Sequence, residues 1–149
     1  MTSKALVDGF VSQPVLALAG LSRSGNKFSN GVFTELKQNG FRVLPVNPQA
    51  ESIQGERCYP SLSALPEKVE AVLIMTPPAQ TAAVVQQAVD AGIKRVWIQQ
   101  GAESPEALAL CKQHNLDAIS GECIMMFAGK AGFHKFHKWI WGVIGKLPK

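Results

Sequence analysis

The stretch that decides the fold is Pro14-Val-Leu-Ala-Leu-Ala-Gly-Leu-Ser-Arg-Ser-Gly-Asn-Lys-Phe-Ser-Asn-Gly31. Residues 15–19 form a continuous apolar run, which is typical of a strand that is covered on both faces. A glycine-rich turn begins at Gly20, and from Phe28 onward the apolar residues follow helical spacing. Glycines let the backbone approach a ligand closely, and the amides at a helix start point at an anion. The stretch therefore predicts a site for a phosphate-bearing, nucleotide-like molecule.

The remainder of the chain alternates in the same way between apolar runs and helical patterns. Further strands are predicted at residues 41–46, 69–75, 95–98 and 116–119, and helices at 28–39, 79–91 and 104–113. Residues 49–65 form a polar connection in which only the 61–65 segment has a helical hint. We therefore expect an α/β fold with a doubly wound, five-stranded parallel sheet and right-handed crossovers.

The topology of such a sheet predicts where a ligand binds. Ligands of doubly wound sheets lie outside the carboxyl ends of the strands, at the point where the strand order reverses. This edge is expected to bring together four loops, at residues 20–30, 47–49, 76–78 and 99–101.

Length and composition are those of one globular domain. The chain has 149 residues, of which 46% are hydrophobic and 17% charged, and no apolar run approaches the ~20 residues that span a bilayer. The N-terminal residues lack the apolar core of a signal peptide. Cys58, Cys111 and Cys123 include no C-x-x-C pair and are interpreted as reduced thiols, so a cytoplasmic location is expected.

The net charge of +4 is concentrated at the C-terminus. After Glu122 the chain has five lysines and no acidic residue, so the preceding body is close to neutral. The body shows no basic stripe interleaved with aromatic residues, and a nucleic-acid partner is therefore not expected.

Two common phosphate-loop motifs do not match residues 20–31. Gly20 and Gly25 have the spacing of a Walker loop, but Asn26 stands where its lysine belongs and Lys27 comes one residue late. The dinucleotide pattern G-x-G-x-x-G fails because Ser22 replaces its second glycine. The sequence therefore excludes a Walker-type NTPase and weakens the case for a dinucleotide.

The end of the second predicted strand narrows the choice of nucleotide. NAD sites place a carboxylate there, whereas this chain has Asn47 and Pro48 and no acid before Glu51. A nucleotide that carries an extra ribose phosphate remains a candidate ligand. Arg23, Lys27 and Arg42 are the cations that could bind this phosphate.

Six short motifs occur in a characteristic order over residues 10–126. They are Ala19-Gly-Leu-Ser-Arg-Ser-Gly25 with Ser29-Asn-Gly-Val32, Gly40-Phe-Arg-Val-Leu-Pro-Val-Asn-Pro48, Ile53-Gln-Gly-Glu-Arg-Cys-Tyr-Pro-Ser-Leu62, Thr76-Pro-Pro78, Trp97-Ile-Gln-Gln-Gly101 and Gly121-Glu-Cys-Ile124. In these motifs the chain resembles the CoA-binding Rossmann domain family. Within it, the chain is similar to small stand-alone CoA-binding proteins and to the N-terminal domain of the succinyl-CoA synthetase α subunit.

The resemblance implies a Rossmann-like fold and a site for coenzyme A or an acyl-CoA on the four loops. The first loop would cradle the pyrophosphate, and the loop after the second strand would lie near the adenosine and its 3′-phosphate. The third loop would line the adenine and upper pantetheine groove, and the fourth would border the pantetheine arm. The binding residues implied are Gly20, Ser22, Arg23, Gly25, Asn26, Lys27, Asn47, Pro48, Thr76, Pro77, Pro78, Gln100 and Gly101.

The chain departs from the synthetases in two respects. Their domains often have an acidic residue before the glycine that follows the fourth strand, and here this residue is Gln100. Their second, catalytic domain, with its phosphorylated histidine, has no counterpart in the motifs above. No synthetase activity is therefore expected from the resemblance.

The C-terminal residues predict a separate element. We expect residues 1–128 to form the CoA-binding domain and residues 129–149 a basic amphipathic helix. Between residues 131 and 147 the apolar face comprises Phe133, Phe136, Ile140, Val143, Ile144 and Leu147, and Lys135, Lys138 and Lys146 lie opposite. Three partners for that face stay open: the domain's own sheet, a second copy in a homodimer, or a membrane surface.

No catalytic or metal-binding constellation is visible. His134 and His137 are three residues apart, but no carboxylate or cysteine accompanies them, so no metal site is expected. The ligand loops contain no paired carboxylates, and no Ser-His-Asp order is apparent. We therefore expect a non-catalytic binding or regulatory module. The alternatives are an NAD(P)-binding oxidoreductase or redox sensor, and a membrane-peripheral or partner-binding protein dominated by its tail.

Overall fold

A computed structural model describes residues 3–24 and 27–128. Within these residues the strands are β1 Val15–Ala19, β2 Arg42–Val46, β3 Ser52–Ile53, β4 Glu56–Arg57, β5 Ala71–Ile74, β6 Arg95–Gln99 and β7 Asp117–Glu122. The helices are α1 Lys4–Val11, α2 Phe28–Gln38, α3 Pro78–Asp90, α4 Pro105–Gln113 and α5 Met125–Ala128, and a 3₁₀ turn spans Leu62–Ala64.

Five strands form one parallel sheet in the order β2-β1-β5-β6-β7, and β3 and β4 form a small antiparallel hairpin. The chain moves outward from β1 to β2 and then returns to β5 on the other side of β1. The order therefore reverses between β1 and β5, and the predicted α/β fold with a doubly wound, five-stranded parallel sheet is confirmed.

Alternating side chains of the strands build a core on each face of the sheet. Leu16 and Leu18 of β1 pack on the face covered by α1 and α2, whereas Ala17 and Ala19 pack on the face covered by α3 and α4. On the first face, Trp97 is fully buried, with its ring centroid 5.2 Å from that of Phe10 in α1. Burial on both faces explains why the strands are continuous apolar runs.

Helix α1, the β3–β4 hairpin and the short helix α5 were not predicted from the sequence. Helix α1 is capped by the Ser3 hydroxyl, which accepts from the Leu6 amide at 3.2 Å, and it buries only Val7 and Phe10. The β3–β4 hairpin lies within the segment expected to be a polar connection. Its two turn residues, Gln54 and Gly55, both have positive φ, as a type I′ hairpin turn requires.

Some predictions fall outside the described residues. Gly25 and Asn26 of the first loop lie there, as does the helix predicted within residues 129–149. Among the described residues, no helix is long and apolar enough to span a bilayer. The same part of the chain contains no cluster of three His, Cys, Asp or Glu side chains arranged for a metal ion.

Candidate functional site

The candidate site is the crevice at the carboxyl edge of the sheet, where the strand order reverses. After β1 the chain enters α2 on one face, and after β5 it enters α3 on the other face. The two loops therefore diverge, and a cleft opens on each side of the place where they touch. These two spaces are called the α2 cleft and the α3 cleft.

Gly20 forms the floor between the clefts. Its φ is +109°, and a Cβ built on it would lie 2.5 Å from the carbonyl carbon of Met75 and 2.7 Å from the amide nitrogen of Thr76. Only glycine combines this backbone conformation with such a close approach. The first predicted glycine is therefore required by backbone packing between β1 and β5.

The α2 cleft has a volume of about 540 Å³. Eight of the residues expected at the site line it, namely Gly20, Ser22, Lys27, Thr76, Pro77, Pro78, Gln100 and Gly101. Helix α2 begins at the wall of this cleft. The amides of Phe28 and Ser29 belong to its first turn, so they have no hydrogen-bond acceptor within the helix. Together with the ammonium group of Lys27, this helix end favours an anion.

The α3 cleft has a volume of about 480 Å³ and lies on the opposite side of Gly20. Asn47 and Pro48 line it, together with Gly20, Thr76 and Pro77, which also line the α2 cleft. The two clefts are therefore joined along the contact between the ends of β1 and β5. An elongated ligand can lie across this contact with one end in each cleft.

The first loop is held from within by Asn30, a side chain that sequence reasoning did not single out. Asn30 is 2% exposed; its Oδ1 accepts from the Lys27 amide at 3.0 Å and its Nδ2 donates to the Ser22 carbonyl at 2.9 Å. The Ser22 amide donates to the Ser29 hydroxyl at 3.3 Å. Both ends of the turn are thus fixed to the first turn of α2.

Both polar atoms of the Asn47 side chain form hydrogen bonds with the protein backbone. Its Nδ2 donates to the Leu21 carbonyl at 3.1 Å, and its Oδ1 accepts from the Gln49 amide at 2.7 Å. A carboxylate could not donate to Leu21 and would place negative charge against that carbonyl oxygen. The missing acid at the end of β2 therefore has a structural reason as well as the ligand-based reason given by the sequence.

The third and fourth loops are tied together by a buried hydroxyl. Thr81, which is fully buried, has its Oγ1 2.7 Å from the Ala102 carbonyl oxygen and 2.8 Å from Thr76 Oγ1. Because Thr81 has one hydroxyl proton and the carbonyl can only accept, Thr76 donates to Thr81. The Thr76 hydroxyl proton therefore points away from the cleft, and its oxygen stays an acceptor.

Glu103 is a second residue that sequence reasoning missed. One carboxylate oxygen accepts from the Gly101 amide at 2.8 Å and the other accepts from the Gly121 amide at 2.9 Å. The Glu103 carboxylate thus links the loop after β6, which contains Gln100 and Gly101, to Gly121 of β7. Its partner Gly121 is 18 positions away in the sequence, so no local sequence pattern could predict this contact.

Two cations of the sequence analysis lie outside both clefts. Arg23 is exposed, and its Nη1 lies 3.5 Å from the Gln49 carbonyl oxygen. Arg42 is wrong as a phosphate partner because it opens β2 at the opposite edge of the sheet, about 17 Å from Asn47 at the rise of a strand. Its Nη2 pairs with Glu67 at 2.6 Å instead.

None of the thiols lines either cleft. Burial raises the pKa of the Cys58 and Cys111 thiols, so both are protonated at neutral pH. Cys123 is half-buried and packs against the core on the α1 face. The linings of the two clefts therefore offer no thiol to a bound ligand.

The doubly wound sheet and the loops at its carboxyl edge are those of an α/β nucleotide-binding domain. Comparison with known proteins identifies the family. The model of the CoA binding domain family matches residues 15–128, and the chain belongs to this family. The expected resemblance is thereby confirmed. The match includes every described strand and all of the candidate loops.

One similar protein is acetate–CoA ligase (ADP-forming) II of Archaeoglobus fulgidus. It is 32% identical over 113 residues, which are 68% of this chain and 17% of the ligase. The chain spans less than a fifth of that ligase, so the similarity concerns one part of a much larger protein.

Two solved structures match over most of their own length. A conserved hypothetical protein from Pyrococcus furiosus is 38% identical with a TM-score of 0.70, over 74% of this chain and 96% of that one. A hypothetical protein from Pyrococcus horikoshii is 29% identical with a TM-score of 0.78, over 93% of both chains. The fold therefore also occurs in proteins about as short as this one.

Proposed function

We propose that the protein binds coenzyme A or an acyl-CoA in the joined α2 and α3 clefts. The observation that carries the proposal is the meeting of four sequence-distant loops at the reversal point of the sheet. Eight residues expected from the family line one cleft, and Asn47 and Pro48 line the other. Membership of the CoA binding domain family supports the same ligand.

The chemistry of each cleft suits a different part of coenzyme A. The diphosphate lies at the start of α2, where the amides of Phe28 and Ser29 and the cation of Lys27 neutralise it. The adenosine lies in the α3 cleft beside Asn47 and Pro48. The pantetheine arm runs along Pro78 and the Gln100–Gly101 turn.

The protein acts, in this proposal, as a binding or regulatory module without chemistry of its own. Among the described residues, neither cleft is lined by a histidine, cysteine, aspartate or glutamate. The hydroxyl groups that line the α2 cleft, such as Ser22 and Thr76, therefore have no histidine or carboxylate in the cleft lining to activate them as nucleophiles. Since the chain spans less than a fifth of the similar ligase, the ligase reaction is not part of the proposal.

Isothermal titration with coenzyme A, acetyl-CoA, NAD and ATP tests the ligand class. We expect coenzyme A and acetyl-CoA to bind and NAD and ATP to bind at least about tenfold more weakly. In Lys27→Gln both CoA ligands lose affinity, because the diphosphate loses a cation. The control Lys94→Gln removes an exposed charge before β6, at the other edge of the sheet, and leaves affinity unchanged. Tighter binding of NAD than of either CoA ligand would refute the proposal.

A further inference from the structure

Gln99, the last residue of β6, has a buried carboxamide group at the wall of the α2 cleft. Side chains alternate along β6, so that Trp97 lies in the core under α1 and Ile98 in the core under α3. Gln99 therefore projects to the same face as Trp97, where it lines the α2 cleft. Its side chain is enclosed by the cleft wall, since the residue is only 4% exposed.

One hydrogen bond fixes the orientation of this carboxamide group. Gln99 Oε1 accepts from the Ile124 amide at 3.1 Å, and Nε2 could not take its place because it can only donate. Nε2 therefore points away from Ile124. Within residues 3–24 and 27–128, it takes part in no hydrogen bond. An unpaired donor in so buried a side chain is costly, so an acceptor that enters the cleft is stabilised there.

The surroundings of Gln99 suit an uncharged acceptor. Met75 and Ala102 also line the cleft, and Ala102 is buried. The cation of the cleft, Lys27, stands at the start of α2, and an anion is drawn to that end. A neutral carbonyl oxygen loses less hydration than an anion when it enters an apolar wall. The group expected beside Gln99 is therefore a carbonyl.

The length of the coenzyme A arm lets its far end reach Gln99. The α2 cleft crosses the ends of β1, β5 and β6, so Gly20 and Gln99 are about 10 Å apart at the usual spacing of neighbouring strands. An extended arm of about 13 bonds between phosphorus and sulfur covers roughly 16 Å, at ~1.2 Å per bond. The amide carbonyls of the arm come closer to the diphosphate, nearer to the ends of β1 and β5. A thioester at the end of the arm meets β6.

We propose that Gln99 is a specificity-determining residue, which selects a thioester of coenzyme A over the free thiol by donating from Nε2 to the thioester carbonyl oxygen. The inference rests on the proposed function for the placement of the diphosphate at α2. A site built around a donor discriminates against an analogue without the acceptor, because the donor is then left unpaired. Free coenzyme A ends in a thiol, whose sulfur is only a weak acceptor. The preferred ligand class is therefore acyl-CoA.

Isothermal titration with acetyl-CoA and S-ethyl-CoA tests this contact, because S-ethyl-CoA carries two hydrogens in place of the carbonyl oxygen. We expect the wild type to bind acetyl-CoA about threefold to tenfold more tightly than S-ethyl-CoA, the range for one neutral hydrogen bond. Gln99→Met removes the donor at similar volume and should abolish this preference, with S-ethyl-CoA affinity unchanged within about twofold. Gln113→Met is the matched control, since it removes the same group at the exposed end of α4 and should keep the preference.

The infrared carbonyl band of acetyl-CoA, isotope-labelled at its thioester carbon, gives a readout that a purely structural role of Gln99 would not move. A hydrogen bond to the oxygen weakens the C=O bond. The band should therefore shift to lower wavenumber on binding to the wild type, and shift less on binding to Gln99→Met. The comparison of the two ligands on the wild type needs no variant, so it tests the contact even if Gln99→Met does not fold.

The outcomes separate the contact from the ligand class. If the wild type binds acetyl-CoA and S-ethyl-CoA equally, the thioester contact is refuted and CoA binding stands. If Gln99→Met weakens coenzyme A, acetyl-CoA and S-ethyl-CoA by the same factor, Gln99 serves the arm or the fold, and its role in selecting thioesters is refuted. If the wild type binds none of the three, the proposed function fails and the inference fails with it.

Discussion

The α-carbon of Gly20 lies against the Met75–Thr76 peptide so closely that a Cβ on it would be 2.5 Å from the carbonyl carbon of Met75. The Met75 amide also donates to the carbonyl of Ala19 at 2.7 Å. The ends of β1 and β5 are therefore in backbone contact, and the two clefts meet along this contact. The geometry of the site depends on it.

Gly20→Ala is expected to destabilise the protein by about 2–4 kcal/mol, since it combines a strained positive φ with overpacking against backbone. The added methyl group has no flexible side chain to displace, so the loops after β1 and β5 must separate. Urea denaturation measures the loss of stability, and calorimetry at a temperature where the variant is folded measures the loss of CoA affinity.

Gly31→Ala is the control for that substitution. A Cβ at Gly31, on the exposed side of α2, meets nothing within 4 Å, so alanine should stabilise the helix by up to about 1 kcal/mol. If the two substitutions changed the stability equally, the contact between Gly20 and Met75 would not be the reason why position 20 requires glycine.

Asn47→Asp is expected to cost about 1–3 kcal/mol at neutral pH, because the carboxylate faces the Leu21 carbonyl without a proton to donate. The neutral acid can donate to the Leu21 carbonyl, whereas the carboxylate cannot. The loss of stability should therefore shrink when the pH is low enough to protonate the new side chain. The exposed Asn115→Asp substitution is the control, and a penalty at position 47 that grows in acid would contradict the account.

Glu103→Gln is expected to lower stability by about 1 kcal/mol and to weaken CoA binding. The amide side chain can accept from only one of Gly101 and Gly121, and its NH₂ group then faces the other amide. Glu106→Gln, in the exposed first turn of α4, removes the same charge and should cost a few tenths of a kcal/mol. Chemical denaturation of both variants distinguishes bridging of the two loops from a simple charge effect.

Thiol labelling is expected to follow burial. Because burial raises the pKa of Cys58 and Cys111, both are poor nucleophiles at neutral pH, and their reaction with iodoacetamide should increase as the pH rises. Mass spectrometry should find Cys123 labelled first in the native protein and all three thiols labelled in urea. Labelling of Cys111 as fast as Cys123 under native conditions would contradict the packing described.

The sheet and the site loops were predictable because both follow from short-range patterns. Apolar runs identified the five strands, and the direction of parallel strands then put Gly20, Asn47, Thr76 and Gln100 at one edge. The same rule excludes Arg42 from the site, because Arg42 is the first residue of β2 and therefore lies at the amino edge of the sheet.

The remaining features depend on contacts between residues that are distant in sequence. Asn30 holds Gln54 across 24 positions, and Glu103 holds Gly121 across 18. The hairpin turn uses Gln54 at positive φ, where the usual signal is asparagine or glycine. Helix α1 is only eight residues long and buries two side chains; its apolar residues do follow helical spacing, but so short a segment before the first strand was not assigned.

The most direct measurement is a crystal structure of the protein grown or soaked with coenzyme A. We expect diphosphate oxygens at hydrogen-bond distance, about 2.7–3.2 Å, from the amide nitrogens at the start of α2, with the adenosine beside Asn47 on the other side of Gly20. A crevice that stays empty at saturating ligand, or that the protein's own side chains fill, would contradict the account.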